Sequence, residues 1–347
     1  MIKLQLQKKR YNDRIDNEST GLKKIYREGV FMNKISIIGT GSVGSTIAYT
    51  LTLEGLAGEI VLVDINVPKA KGEAMDIYQG TSLAHHTVNI HYGEYADTKN
   101  SDIVVITSGA ARKPGMTRLD LVNTNVKIIN SIAKELVAES PNAIYVVVSN
   151  PVDILTYAFI KSTGLPKNQV IGTGTLLDSS RFRASLSEYF GVSAKSVHGY
   201  VFGEHGDSSM IPWSLATIGG MPITTYKSRL DGESRNCSPE DKEKIEQNVR
   251  ESGANVIKMK GATYYAIAMS VKKICECIIR DEKSVLSVST LIDNDYCGIS
   301  DVCISLPFIV GAKGIEGEIY PDITEEEKEK LVASADTLKK IIKDAGI

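Results

Sequence analysis

Cysteine is scarce in this chain: there are five cysteines in 347 residues, and all of them lie in the C-terminal half. Their number is odd and none shows the paired C-x-x-C spacing of a zinc site, so the pattern indicates neither a disulfide framework nor a metal site. The sequence therefore predicts no metal. A reducing, cytoplasmic location is the simplest interpretation.

The chain also lacks an excess of one charge and any long apolar run. Its formal net charge is −2 at pH 7, so the charge balance does not favour nucleic acid or an anionic membrane as a partner. No apolar stretch approaches the roughly 18 residues that a membrane-spanning helix needs. The hydrophobic content of 42% is that of a globular protein, and the length suggests about two domains.

The first 31 residues are polar and basic, and they lack the apolar core of a secretory signal. Acidic residues, among them Asp13 and Glu18, argue against an organelle-targeting arm. We expect this leader to be disordered or foreign to the native protein, and to carry no chemistry.

The clearest motif present is a G-x-G-x-x-G segment at residues 39–44, directly after a β-branched run at 34–38. A helix-compatible stretch follows, and then a second apolar run, residues 59–63, which ends in Asp64 about twenty residues after the third glycine. This order is the dinucleotide-binding fingerprint, in which glycines and a helix N-terminus receive the pyrophosphate. Asp64 would accept hydrogen bonds from the adenosine ribose and repel a 2′-phosphate. NAD is therefore favoured over NADP.

Buried strands and helices continue to alternate after this motif. Residues 102–107 and 143–149 are apolar on both faces, as parallel strands are. Residues 119–137 show helical spacing, with one apolar stripe that we expect to face the core: Leu119, Val122, Val126, Ile129 and Ile132. The alternation predicts a doubly wound parallel sheet with ligands beyond the carboxyl ends of its strands. Asn150 falls at that edge, where it is either a ligand-facing residue or a turn residue before proline.

The C-terminal half offers one histidine between glycines, His205 in the run Val201 to Ser209. Histidine can exchange a proton near neutral pH, although a loop histidine without a chemical role is the commoner case. Asp178 and Arg181 are three residues apart on a predicted helix, as a surface ion pair would be, or as a carboxylate that orients histidine beside a guanidinium that binds a substrate carboxylate. The segment 109–118 carries three cations, and either closes over an anionic substrate or is a solvated loop.

From about residue 33 to 342 the chain resembles the lactate/malate dehydrogenase family of 2-hydroxy acid dehydrogenases. The resemblance rests on the glycine segment with Asp64 and on three further motifs: Ser149-Asn150-Pro151, Leu177-Asp178-Ser179-Ser180-Arg181-Phe182-Arg183 and Gly203-Glu204-His205-Gly206-Asp207-Ser208. It implies a Rossmann NAD-binding domain at 32–175, an α+β substrate domain at 176–347 with a last helix at about 324–344, and a homotetramer.

The resemblance implies roles for single residues. His205 is expected to donate or accept the proton, and Asp178 to orient its imidazole. Arg181 is expected to bind the substrate carboxylate, Arg118 to polarise the carbonyl group and Asn150 to position the reacting groups. The expected NAD-site residues are Gly39, Gly41, Val43, Gly44, Asp64, Lys69, Tyr95, Gly109, Ala110, Ser131, Val148, Asn150 and Thr173.

The substrate is the open point of this resemblance. Glu204, Thr263 and the run 172–175 favour lactate and pyruvate, and Thr263 is expected to contact the substrate. Arg183 and His198 match a pair that binds the effector fructose 1,6-bisphosphate in bacterial members.

Arg112 favours malate and oxaloacetate instead, because it could pair with the second carboxylate of oxaloacetate. A buried guanidinium over the methyl group of pyruvate would lack a partner. We therefore expect a 2-hydroxy acid dehydrogenase for lactate, with malate as the alternative. A regulatory protein that only senses the nucleotide would not need His205, Asp178, Arg181 and Arg118 together.

Overall fold

The computed structural model describes residues 25–27, 30–110, 115–230, 233–293 and 296–347. Two short strands, β1 (Ile25–Arg27) and β2 (Val30–Met32), pair antiparallel within the segment that we expect to be a leader. The rest of residues 1–31 lies outside the described residues.

The further strands of the described chain are short in the first half and longer near the C-terminus. In chain order they are β3 (Lys34–Ile38), β4 (Glu59–Val63), β5 (Asn89–Tyr92), β6 (Ile103–Ile106), β7 (Ile144–Val147), β8 (Val170–Gly172), β9 (Val197–His198), β10 (Thr217–Ile218), β11 (Met221–Pro222), β12 (Ser228–Leu230), β13 (Glu233–Arg235), β14 (Ser284–Ile292), β15 (Val302–Gly311) and β16 (Gly314–Glu318).

Most of these strands belong to one sheet. Within the described residues it has nine strands in the spatial order β16-β15-β14-β8-β7-β6-β3-β4-β5. The six from β8 to β5 are parallel, and β6, β7 and β8 are buried along their whole lengths, because helices cover both faces. The remaining three are antiparallel and join the parallel part where Ser289 pairs with Gly172.

The described part of the chain also contains eight α-helices, several of which connect successive strands of the sheet. They are α1 (Ser42–Glu54), α2 (Val67–Gly80), α3 (Arg118–Glu139), α4 (Val152–Thr163), α5 (Leu176–Phe190), α6 (Pro239–Lys260), α7 (Tyr265–Arg280) and α8 (Glu325–Ala345). Three of them, α3, α6 and α8, begin with a reciprocal capping box, so their first N–H groups are paired. The box of α8 joins Thr324 and Glu327.

The predicted fold class is confirmed: a doubly wound parallel sheet carries a second, mixed α and β half. One sequence expectation about the core is wrong. Leu119 was expected on the buried stripe of α3 with Val122 and Ile129, but its side chain is 39% exposed whereas the other two are fully buried. Leu119 lies in the first turn of α3, so this end of the helix extends past the core.

Two absences concern the described residues only. None of their helices combines the length and the apolar character that crossing a lipid bilayer requires. Their His, Cys, Asp and Glu side chains also form no cluster of three or more that could hold a metal ion.

Candidate active site

His205, Asp178 and Arg181 lie together, although the histidine is distant from the other two in the chain. The His205 Nδ1–H group donates to Asp178 Oδ2 at 2.6 Å, and Arg181 Nη1 donates to Asp178 Oδ1 at 2.8 Å. The Asp178 side chain is only 10% exposed, whereas 27% of the His205 side chain remains accessible. The Asp178 carboxylate therefore binds both the His205 ring and the Arg181 guanidinium. The Nε2 atom of His205 is then available to exchange a proton.

The charges of this group shift its pKa values in opposite directions. Burial alone lowers the pKa of His205, but the charge of Asp178 and its hydrogen bond to the ring outweigh burial and raise that pKa above its usual value. Burial alone raises the pKa of Asp178, but His205 and Arg181 outweigh it, so the pKa of this carboxyl is lowered. Asp178 thus stays ionised while His205 takes up and releases its proton.

The loop that carries His205 is tied to the protein on several sides. Its backbone pairs with Ser305 of β15 through two hydrogen bonds at Gly203, and Phe202 and Met210 close its base. The His205 N–H group donates to Asp153 Oδ2 at 2.8 Å. This sharp turn suits glycine at position 203, where φ is +91°.

Asp153, near the start of α4, is a functional candidate that the sequence reasoning missed. Its side chain is buried, and burial raises its pKa although the His205 N–H group and the Ser289 hydroxyl act in the other direction. One signal was available: Asp153 is the only charge in the otherwise apolar run at 152–155, two residues after the predicted turn.

A cavity of about 640 Å³ opens beside His205 at the carboxyl edge of the sheet. Ten of the expected site residues line it: Val43, Gly109, Ala110, Val148, Asn150, Thr173, Asp178, Arg181, His205 and Thr263. Helix α6 closes the opposite wall with Val249, Arg250, Gly253, Ala254 and Ile257.

Asn125 on α3 is a second residue that the sequence reasoning missed. It is 2% exposed, and its side chain bonds both the N–H and the C=O group of Ala110 and the carbonyl of Asn150. One buried amide therefore fixes two expected site residues. Its only signal in the sequence was a polar residue next to the apolar stripe of α3.

The glycine segment has the shape that a dinucleotide requires. Gly39 turns the chain with φ +102°. A Cβ atom on Gly44 would lie 1.9 Å from the Gly39 carbonyl oxygen, so only glycine permits this packing of α1 on β3. At Gly41, which precedes α1, a Cβ atom would meet nothing within 4 Å, and no side chain caps the helix there. Open space before an uncapped helix N-terminus fits a pyrophosphate, so the chain's own residues fit NAD here.

Asp64 lies next to this segment at the end of β4. Its carboxylate accepts hydrogen bonds from the Thr40 N–H group at 2.6 Å and the Asn66 N–H group at 2.8 Å. Burial raises its pKa, but these bonds and the charge of Lys69 outweigh burial and lower it. The charge of Asp64 is also felt at Tyr95, whose pKa is raised chiefly by burial. Lys69 and Tyr95 therefore both lie within electrostatic range of Asp64, and none of the three lines the cavity. Their role in one NAD subsite stays a prediction.

Other expected residues lie elsewhere. Ser131 is exposed on α3, where its hydroxyl donates to the Ile128 carbonyl, and it does not line the cavity. Arg183 on α5 donates to the Ser179 carbonyl, and His198 is exposed on β9. Arg112 and the side chain of Arg118 lie outside the described residues.

Comparison with known proteins agrees with this geometry. Residues 33–172 match the model of the lactate/malate dehydrogenase NAD-binding domain, and residues 175–346 match that of the lactate/malate dehydrogenase α/β C-terminal domain. The chain is 50% identical to L-lactate dehydrogenase 1 of Clostridium acetobutylicum over 88% of this chain and 96% of that protein. It is 47% identical to L-lactate dehydrogenase of Acetivibrio thermocellus over 91% and 98% of the two chains.

A solved structure gives the same result. The minor L-lactate dehydrogenase of Enterococcus mundtii, solved with bound ligands, superposes with a TM-score of 0.86 at 40% identity, over 90% of this chain and 98% of that one. Both halves of the sequence and the fold are therefore covered, and the chain belongs to the lactate/malate dehydrogenase family.

Proposed function

We propose that this protein is an NAD-dependent L-lactate dehydrogenase, which interconverts (S)-lactate with NAD and pyruvate with NADH. The observation that carries the proposal is the His205–Asp178 pair, joined at 2.6 Å at the wall of a cavity that Arg181 also lines. Its relatives named above as L-lactate dehydrogenases support the choice of substrate.

Pyruvate reduction gives each charged residue a task. Arg181 binds the substrate carboxylate through its planar guanidinium, whose charge Asp178 only partly neutralises. NADH, when bound at the glycine segment, would supply the hydride for C2 of pyruvate. Protonated His205 donates its proton to the carbonyl oxygen as negative charge develops there, and Arg118 stabilises the same charge. In lactate oxidation neutral His205 accepts the hydroxyl proton, and Asp178 stabilises the resulting imidazolium.

The substitution His205→Asn tests the catalytic part of this proposal. The amide that replaces the imidazole cannot exchange a proton, so pyruvate turnover should fall about a thousandfold, a loss within the range of a removed general acid. NADH affinity, followed by its fluorescence on binding, should change less than twofold, because the glycine segment and Asp64 are untouched. Turnover that survives the substitution would refute His205 as the proton donor.

The alternative substrate pair is malate and oxaloacetate, favoured by Arg112. We expect a higher kcat/KM for pyruvate than for oxaloacetate in steady-state assays of NADH consumption. Arg112→Gln should move the ratio further towards pyruvate if this side chain pairs with the second carboxylate of oxaloacetate. A preference of the unmodified enzyme for oxaloacetate by tenfold, about 1.4 kcal/mol in transition-state binding, would make malate the substrate.

Two finer properties complete the proposal. The protein is a homotetramer, supported by exposed apolar side chains on the adjacent helices α1 (Tyr49, Leu53) and α7 (Tyr265, Met269), which a solvated monomer would leave in water. Light scattering should give a mass four times the 37.7 kDa of the chain. Fructose 1,6-bisphosphate binds at Arg183 and His198, so it should raise kcat/KM for pyruvate in the unmodified enzyme but not after His198→Ala.

A further inference from the structure

The C-terminal helix α8 contacts the loop that carries His205, residues 201–209, through the buried hydroxyl of Ser334. We call this segment the histidine loop. The Ser334 Oγ atom accepts a hydrogen bond from the Glu204 N–H group at 2.8 Å and lies 3.0 Å from the Ser208 Oγ atom. Ser208 in turn donates to the Glu204 carboxylate at 2.5 Å. A single hydroxyl thus bonds both residues that flank the segment 205–207, which contains His205.

The donors of this network can be assigned. Ser334 has one proton and has already accepted one from the Glu204 N–H group, and Ser208 gives its own proton to the Glu204 carboxylate. Ser334 therefore donates to the Ser208 Oγ atom. Every hydroxyl proton in the chain of bonds then has an acceptor, and a satisfied network of this kind favours one geometry of the groups that it joins.

The packing around this contact is close. Ser334 is fully buried and Glu204 is 2% exposed. A Cβ atom on Gly203 would lie 2.6 Å from the Ser334 Oγ atom, so the absence of a side chain at 203 is what lets the helix approach the loop. A larger residue at 203 would push the helix and the loop apart.

Other residues hold α8 in place without this hydroxyl. Leu331, Ala335 and Leu338 of α8 are buried in the main core. Glu327 accepts hydrogen bonds from the N–H and hydroxyl groups of Ser214, at 3.0 and 2.5 Å. The contribution of the Ser334 hydroxyl is therefore directed to the loop rather than to the docking of the helix.

We infer that Ser334 is a positioning residue for the proton transfer: it keeps the histidine loop in the position that places the His205 ring against Asp178. This inference rests on the proposed function, because it assigns Ser334 a role in that reaction. Without the hydroxyl, the buried Glu204 N–H group loses this acceptor, and the resulting free-energy cost favours a shift of the loop towards another one. A displacement of about 1 Å at a reacting group can cost up to a hundredfold in rate.

The test compares Ser334→Ala with Thr337→Ala. Thr337 is on the same helix but only half-buried, and its hydroxyl donates within the helix, to the Ala333 carbonyl. We expect Ser334→Ala to lower kcat for pyruvate reduction about tenfold, with NADH affinity unchanged within twofold, and Thr337→Ala to leave both unchanged. Ser208→Ala, which keeps the bond to the Glu204 N–H group, should fall between the two.

The pH profile separates positioning from a loss of folded protein. If the ring moves away from Asp178, the pKa that limits kcat/KM for pyruvate falls in Ser334→Ala. Partial unfolding would lower the amplitude of the profile and leave this pKa in place. None of the variants removes a charged group near His205. Asp178, Asp153 and Arg181 act on its pKa, and Asp207 and Arg250 line the same cavity.

Two results would overturn the inference: a kcat of Ser334→Ala within twofold of that of Thr337→Ala, or a tenfold loss with an unshifted pH profile. Failure of the proposed function looks different, because the unmodified enzyme itself would then not reduce pyruvate. The same comparison would in that case be made with oxaloacetate, the alternative substrate.

Discussion

The proposed nucleotide site and the proposed proton-transfer site are built in different ways. In the proposed nucleotide site a short stretch of backbone forms the turn, with Gly39, Gly41 and Gly44, and Asp64 holds it through Thr40. In the proposed proton-transfer site, side chains from the loop of His205 and the helices α4, α5 and α8 converge. In a site formed by local backbone, a substitution is tolerated only where the added side chain meets open space. In a site formed by converging side chains, the geometry depends on every group that holds another in place.

Asp178→Asn should have the largest effect on activity, because Asp178 bonds both His205 and Arg181. A neutral amide cannot stabilise the imidazolium, and it can favour the wrong tautomer of His205, so kcat for pyruvate reduction should fall about a thousandfold. Since Asp178 raises the pKa of His205, the decline of any residual activity with rising pH should begin at lower pH. A residual activity with an unmoved pH profile would contradict this assignment.

The pH dependence of protein stability should also depend on the His205–Asp178 pair. The folded-state pKa of His205 is raised, so its ionisation stabilises the fold below the unfolded value of about 6.5. That contribution disappears as the pH rises through the folded-state pKa. In Asp178→Asn the free energy of unfolding, measured with urea across this range, should lose this part of its pH dependence.

Gly44→Ala and Gly41→Ala should separate the two roles of glycine in the proposed nucleotide site. We expect Gly44 to be needed for packing, and Gly41 for the binding of NADH. The added Cβ atom at position 44 would collide with the Gly39 carbonyl, so we expect a loss of about 3 kcal/mol in unfolding free energy and a lower Tm. The same atom at position 41 meets open space. Gly41→Ala should therefore keep its Tm but bind NADH about tenfold more weakly, because the pyrophosphate approaches there. Equal melting of the two variants would refute this division.

Asp64→Asn should have the smallest effect. The amide keeps one acceptor oxygen for the Thr40 N–H group but removes the charge that disfavours a 2′-phosphate. The ratio of kcat/KM for NADH to that for NADPH should fall about tenfold, or about 1.4 kcal/mol, with the pyruvate KM nearly unchanged. Asp76→Asn, an exposed change on α2, is the matched control.

Local patterns in the sequence predicted the glycine segment and the position of Asp64 beside it. The β-branched runs, the glycine spacing and Asp64 follow one another in the chain, so their geometry could be inferred from order alone. Spacing could not show that Asp178 and His205, 27 residues apart, would meet, and the family resemblance supplied that expectation. The boundary at 175 and the individual NAD-site roles stay predictions.

Three residues escaped prediction for a shared physical reason. Asn125, Asp153 and Ser334 each act on a partner that is remote in the chain, 25, 52 and 130 residues away. An amide, a carboxylate or a hydroxyl on a helix is ordinary until the fold shows what it faces. The prediction for Leu119 was wrong for the opposite reason. Leu119 has the helical spacing of the apolar stripe, but it lies in the first turn of α3, which extends past the core.

The pairing of Ser289 with Gly172 has a consequence for folding. It joins the parallel and antiparallel strands into one sheet, and the larger of the two hydrophobic clusters runs across that junction, from Ile35 and Ile60 to Val288 and Phe308. Unfolding of the antiparallel strands would therefore uncover β8, and a fragment that ended after β8 would expose a bare strand edge.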